Sequence, residues 1–178
     1  MHLSLMMSLL ISVPALAAIR PCEGQSGVFR LNPDASQGGF VATTAIVSTE
    51  SYLGTEAQVC GSATLIGAVK ILDRAIVGGR AQLKGDVVVS GGAEVFGDAN
   101  LWNDLGGELL ITDDAKVFGN TLLHGAIMVT GTSQIFGGAK IYDFVQIHGD
   151  SRVCANALLV EDQILTDDST YCPAKRGL

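Results

Sequence analysis

The hydrophobic pattern of this chain is a repeat of six residues. A large aliphatic residue begins each six-residue unit, or hexad, and all of these residues are Val, Leu or Ile. They are Val41, Val47, Leu53, Val59, Leu65, Ile71, Val77, Leu83, Val89, Val95 and Leu101, then, after four extra residues, Ile111, Val117, Leu123, Val129, Ile135, Ile141, Ile147, Val153, Leu159 and Leu165. Neither a helix nor a half-buried strand has a period of six, so the pattern indicates an internal structural repeat.

Two further hexad positions indicate how the chain turns. Position five is mostly a small residue, which predicts an inward side chain at a crowded corner. Position three is mostly Gly between Val59 and Ile147, and its exceptions there are Asp73, Asn103, Asp113 and Asp143. Gly, Asn and Asp are the residues that best tolerate a left-handed backbone. We therefore expect a short strand and a sharp corner in every hexad, with three hexads forming one triangular coil.

The hexads resemble those of a known family. Units such as Val95-Phe-Gly-Asp-Ala-Asn and Val117-Phe-Gly-Asn-Thr-Leu are similar to the bacterial Val-x-Gly-Asn/Asp-Ala repeats of the hexapeptide-repeat family. The resemblance covers roughly residues 41–168 and implies an all-β, left-handed parallel β-helix of about seven coils. That family includes acyltransferases, γ-class carbonic anhydrases and non-catalytic helices, so the fold leaves the function open.

The ends of the chain lack the repeat. Residues 1–17 are typical of a secretory signal peptide, with an apolar core and small residues at Ala15 and Ala17, so we expect cleavage before Ala18. Residues 18–40 and 169–178 are predicted to form N- and C-terminal caps on a β-helix spanning 41–168, which carries an insertion near 102–110. The protein is thus expected in the periplasm, at the cell surface or in the extracellular medium.

The cysteine spacing predicts two disulfides. Cys154 and Cys172 are one coil apart, and the distance of about 4.8 Å between parallel strands suits a disulfide. Cys60 shares the outward column of Cys154 but lies several coils away, which leaves Cys22 as its partner. Four cysteines in an exported chain fit this pairing. A zinc site is the competing interpretation, but the chain has no Cys-x-x-Cys, and we predict neither metal nor cofactor.

The outward residues at position two form columns when the insertion is treated as a corner loop. One face carries Phe96, Phe118 and Phe136, and the next carries Trp102, His124 and Tyr142 over the same coils. Phe144 lies at a corner beside them. An exposed apolar surface of this size indicates an interaction site. Three interpretations remain: the interface of a homo-oligomer such as a trimer, a surface for a glycan or an envelope protein, or a patch covered by the insertion or a cap.

Charge and composition exclude other classes. The formal net charge is −7, which argues against nucleic acid and anionic lipid as partners. Without residues 1–17 the chain has two histidines, His124 and His148, too few for the three-histidine zinc site of a γ-class carbonic anhydrase. Thr112, Thr130 and Thr166 form a column that His148 interrupts, which is too irregular to favour an ice- or crystal-binding face. The corner aspartates are interpreted first as turn formers.

Two functions remain after these exclusions. The first is an exported, non-catalytic β-helix that acts as a structural or binding module through its aromatic face. The alternative is an acyltransferase-like enzyme with His124 as the general base, the role that the family resemblance implies for a histidine. His124 lies beside Trp102 and Tyr142, whereas His148 falls on another face. The long acceptor-binding loops common in such enzymes are absent from this sequence, which favours the first function.

Overall fold

The structure, a computed structural model, describes Cys22 and residues 24–173. This part of the chain is all-β and contains no helix. The predicted signal peptide, its cleavage point and residues 174–178 lie outside the described residues. Because no α-helix occurs in the described part, none there could cross a membrane.

Short strands, most of them two or three residues long, account for almost all of the regular structure. In chain order they are β1 Gly27–Leu31, β2 Gln37–Ala42, β3 Ile46–Val47, β4 Tyr52–Leu53, β5 Gln58–Val59, β6 Thr64–Ile66, β7 Lys70–Ile71, β8 Ile76–Val77, β9 Gln82–Gly85, β10 Val87–Val89, β11 Glu94–Val95, β12 Asn100–Asn103, β13 Leu109–Ile111, β14 Lys116–Val117, β15 Leu122–His124, β16 Ile127–Val129, β17 Gln134–Ile135, β18 Lys140–Tyr142, β19 Val145–Ile147, β20 Arg152–Val153, β21 Leu158–Leu159, β22 Gln163–Leu165 and β23 Thr170–Tyr171.

The strands form three sheets, one for each side of the coil. The first sheet has the order β1-β2-β5-β8-β11-β14-β17-β20-β23, the second runs from β3 to β21 and the third from β4 to β22, each taking every third strand. Apart from β1 and β2, neighbours are parallel and one coil apart, as in the pairing of Val59 with Val77. The second and third sheets have seven strands each, which confirms the predicted parallel solenoid of about seven coils.

The core is a single apolar column inside the three sheets. The first-position aliphatics from Leu53 to Leu159 are all at most 1% exposed, and they form one cluster with the small residues of position five. This burial confirms the repeat as the source of the core. Each coil contacts only the coils above and below it, so the fold is stabilised mainly by neighbour-to-neighbour stacking.

The corners follow the predicted backbone, with one exception. Asp73, Asp113 and Asp143 have φ angles of 53°, 62° and 66°, in the left-handed region, as do the glycines of this position between Val59 and Ile147. Asn103 does not belong to this group, so its predicted left-handed backbone is wrong. The physical reason is the insertion, which begins directly after Asn103 and replaces the tight corner by a wider loop.

Asn103 instead anchors the insertion. Its side chain is 3% exposed, and its Nδ2 donates to the backbone carbonyl oxygens of Asp86 at 3.3 Å and Gly107 at 2.9 Å. After the loop, Leu109 pairs with Val87, which is 22 residues earlier instead of 18. The four extra residues are therefore absorbed at one corner, and the register of later coils is unchanged.

Both predicted disulfides are present and lie at opposite ends of the solenoid. Cys22 is bonded to Cys60 with a Cα–Cα distance of 5.6 Å, and Cys154 to Cys172 with 4.7 Å. At the N-terminal end, β1 pairs antiparallel with β2 and closes the edge of the first sheet. Disulfides of this kind persist in oxidising compartments, which is consistent with export.

Candidate functional site

The three phenylalanines form a continuous stack on the outside of the first sheet. Each follows directly on a strand of that sheet (β11, β14 or β17), and the pairing of Val95 with Val117 sets the rings one above another. Phe96 and Phe118 have ring centroids 5.0 Å apart and an angle of 2° between their planes, and Phe118 and Phe136 are 5.1 Å apart at 4°. The predicted column therefore exists, and its rings are nearly parallel.

The orientation of these rings decides what they can bind. Stacking on one another occupies both faces of Phe118, so the surface that remains for a partner consists mainly of ring edges. Phe96, at the end of the stack, is 38% exposed, whereas Phe118 and Phe136 are half-buried. A sugar ring that stacks on an aromatic needs a free face. The column is better suited to edge contacts with a protein surface than to stacking along a glycan.

The second column lies on the next sheet over the same coils. Trp102 and His124 have ring centroids 4.8 Å apart with planes at 28°, and His124 meets Tyr142 edge-on at 6.3 Å and 85°. Lys84 places its Nζ 5.0 Å from the Trp102 ring centroid, a cation–π contact. Both faces of Trp102 are thus occupied, by Lys84 and His124. Lys84 stands in this column by its register, but nothing in the sequence indicates the contact.

The insertion reaches across to this column through Asp104. Its Oδ1 lies 2.8 Å from Nε2 of His124, whose side chain is 23% exposed. The contact fixes the orientation of the imidazole through Nε2, and Nδ1 is the ring nitrogen that Asp104 does not contact. Sequence reasoning missed Asp104, because residues of the insertion have no place in the hexad count. One of the three interpretations, that the insertion covers part of the patch, is therefore realised at His124.

Exposed apolar side chains extend the second column around the corner into the third sheet. Leu105 in the insertion and Phe144, between β18 and β19, are 57% and 59% exposed, and Met128 on β16 is 37% exposed. Leu105 and Phe144 belong to the same corner and lie two coils apart along the solenoid axis. We call Trp102, Leu105, His124, Met128, Tyr142 and Phe144 together the corner strip. Leu105 and Phe144, the members of the strip at the corner itself, are more exposed than the phenylalanines of the column.

Charged groups beside the phenylalanine column are paired with each other. Lys116 Nζ lies 3.1 Å from Glu94 Oε1 on the first sheet. At the neighbouring corner, Arg80 donates from two nitrogens to the carboxylate of Asp98 at 2.6 and 2.8 Å, and this hydrogen bonding holds the pKa of Asp98 below its usual value. An apolar strip with a rim of paired polar groups is the usual anatomy of a protein–protein contact surface.

Other chemistry-bearing residues lie elsewhere. His148 is on the third sheet, where Nδ1 is 2.9 Å from Thr130 Oγ1 and Nε2 is 3.1 Å from Gln146 Oε1. A surface depression at yet another corner is lined by Gly54, Thr55, Glu56, Leu72, Asp73 and Arg74 and does not adjoin either column. Within residues 24–173 and Cys22, no group of three or more His, Cys, Asp or Glu side chains is placed to hold a metal ion.

Comparison of the chain with protein-family models, with curated proteins and with solved structures finds no match. The parallel solenoid therefore rests on the structure, and the family resemblance on the repeat units alone.

Proposed function

We propose that this protein is an exported, non-catalytic solenoid of the hexapeptide-repeat type, bacterial in origin, that acts as a structural or binding module. Its contact surface consists of the phenylalanine column and the corner strip. The observation that carries the proposal is the alignment of both aromatic columns over the same coils, with the edges of the stacked phenylalanine rings facing outward. The apolar segment 1–17 and the two disulfides support export.

Self-association is the use of this surface that the geometry favours. Ring faces inside the phenylalanine column are covered by the neighbouring rings, so the exposed area of this column is an array of edges that repeats at about 5 Å along the axis. A second copy carries the same repeat, so the two arrays of edges can pack against each other with matching spacing. An envelope protein or a glycan is the alternative partner, and in the phenylalanine column a glycan would find free ring faces only at the ends of the stack.

A charge placed in the middle of the phenylalanine column tests self-association. We expect the wild type to be an oligomer by light scattering and Phe118→Asp to be a monomer, because a carboxylate buried between two apolar surfaces is strongly unfavourable. Ile46→Asp is the matched control, since Ile46 is 64% exposed near the N-terminal end of the second sheet and outside the register of both columns. Its mass should equal that of the wild type.

Circular dichroism of each variant shows whether the solenoid is still folded, so that a monomer can be distinguished from an unfolded chain. A wild type that remains monomeric at high concentration would contradict self-association. Screening of glycans and envelope polymers would then decide whether the surface binds a ligand.

The hydrogen bond between Asp104 and His124 favours acyl transfer as the second candidate. A carboxylate that orients an imidazole is a common arrangement for a general base, which contributes about 10²–10⁴-fold to a rate. The imidazole is, however, stacked on Trp102 and does not line the surface depression formed by residues 54–56 and 72–74. We expect no acetyl transfer from acetyl-CoA to hydroxyl or amine acceptors above the blank. Transfer that His124→Gln abolishes, while Asp104→Asn merely weakens it, would establish the enzyme instead.

A further inference from the structure

The phenylalanine column and the corner strip lie on opposite sides of the solenoid. The chain passes through the first, second and third sheets in turn, so the three sheets enclose each coil as the sides of a triangle. The phenylalanines lie outside the first sheet, and the corner strip surrounds the corner between the second and third sheets. In a triangle this corner is the vertex opposite the first side. The two apolar surfaces therefore face away from each other, and a copy docked on one of them leaves the other uncovered.

Both surfaces lie at the same height along the axis. Trp102, His124 and Tyr142 each follow a phenylalanine of the column by six residues, which is one side of the coil. Trp102 pairs with His124 and His124 with Tyr142, so the strip has the same spacing of one coil as the column. A translation perpendicular to the axis, with no shift along it, thus brings the strip of one copy level with the column of the next.

The charges beside the phenylalanine column leave a positive excess. The carboxylates there are engaged in the ion pairs with Lys116 and Arg80 described above. Lys140, across the corner from Phe136, and Arg152, on the first sheet one coil further along, are exposed and form no ion pair within the described residues. The rim of the column therefore carries unpaired positive charge.

The corner strip has the opposite excess. Exposed carboxylates follow the corner between the second and third sheets over these coils and the coil before them, namely those of Asp86, Asp104, Glu108 and Asp143. Asp104 contacts His124, and the cation beside the strip is Lys84, on the Trp102 ring. Two columns, or two strips, would bring like charges together, whereas a column and a strip bring opposite charges together.

We propose that copies of this protein associate with the corner strip of one against the phenylalanine column of the next, and so form an open row of parallel solenoids. This arrangement rests on the self-association proposed above and specifies its geometry. A contact between two different surfaces closes into a ring only if each copy is rotated relative to the last. Surfaces on opposite sides of the coil need no such rotation, so every row keeps a free strip at one end and a free column at the other.

Two variants that each lose one surface test this arrangement. Phe118→Asp blocks the column, and Phe144→Asp blocks the strip at a side chain that is 59% exposed. In light scattering we expect the wild-type mass to rise continuously with concentration and each variant alone to be a monomer. An equimolar mixture of the two variants should give a dimer of one copy of each and nothing larger. The intact strip of the first meets the intact column of the second, and both remaining surfaces carry Asp.

Reversal of an unpaired charge gives a second measurement. In Lys140→Glu we expect the association constant to fall about fivefold, because the column then repels the acidic corner of the next copy. Pairing of column with column would instead be strengthened, since opposite charges would then meet. Arg74→Glu is the matched control, because Arg74 is exposed at the corner between the third and first sheets, outside both surfaces. It should leave the association constant unchanged.

The outcomes separate this arrangement from self-association as such. If Phe144→Asp kept the wild-type mass while Phe118→Asp became a monomer, copies would pair column to column, and the open row would be wrong although self-association stood. A mixture that stayed monomeric while the wild type assembled would also overturn the row. A wild type that is monomeric at every concentration would remove the self-association itself. Circular dichroism of each variant distinguishes a folded monomer from an unfolded chain.

Discussion

Replacement of Gly85 by Ala is expected to lower the free energy of unfolding by about 3 kcal/mol. Gly85 ends β9 with φ at 86°, and a Cβ built there would lie 2.0 Å from the carbonyl oxygen of Asn103. That oxygen belongs to the residue that anchors the insertion, and Asn103 also pairs with Gly85 across the sheet. The backbone segments at Gly85 and Asn103 would have to move apart, and this movement would disturb both the insertion and the Asp104–His124 contact.

Gly67→Ala separates this clash from the strain of a left-handed alanine. Gly67 lies one coil below at the same corner, with φ at 85°, but a Cβ there would be 3.6 Å from its nearest neighbour. We expect this variant to lose only about 1–2 kcal/mol, the usual cost of a left-handed residue with a side chain. Urea unfolding followed by circular dichroism measures both. Equal losses in the two variants would show that the close approach at Gly85 is relieved without cost.

Truncation of Leu123 to Ala is expected to destabilise the solenoid by about 3–4 kcal/mol, within the range for buried leucines. Leu123 is fully buried in the middle of the core and is paired with Leu101 below and Ile141 above. A cavity at this level weakens the stacking of two neighbouring coils at once. The measurement is again the free energy of unfolding, with the slope of the denaturant dependence as a check on cooperativity.

Leu165→Ala is the control for that prediction. Leu165 has the same hexad position in the last coil, but it is only half-buried and has a coil on one side only in the described part of the chain. We expect a loss of about 1 kcal/mol, since less apolar area is removed from contact. If both leucines gave the same loss, stability would be distributed evenly along the solenoid. The end would then not be the weak point that the 41% exposure of Tyr171, which lies on the last strand of the first sheet and pairs with Val153, indicates.

The sequence was sufficient wherever a property repeats with the hexad. A parallel solenoid has nearly constant spacing, so counting residues also counts coils, and residues one coil apart must be neighbours. This is why the sequence alone pairs Cys154 with Cys172 and places Phe96, Phe118 and Phe136 in one column. The four extra residues did not disturb the count, because a corner can widen without shifting the strands that follow.

Only the tertiary structure decided what the repeat does not encode. The planes of the phenylalanine rings, which determine that edges face outward, depend on side-chain torsions that the register leaves free. The contact of Asp104 with His124 and the ordinary backbone of Asn103 depend on the path of an insertion outside the repeat. The exposure of Tyr171 depends on having no further coil above it in the described chain. Local periodicity therefore determined the scaffold and the placement of the candidate surface, whereas long-range packing determined which atoms that surface presents.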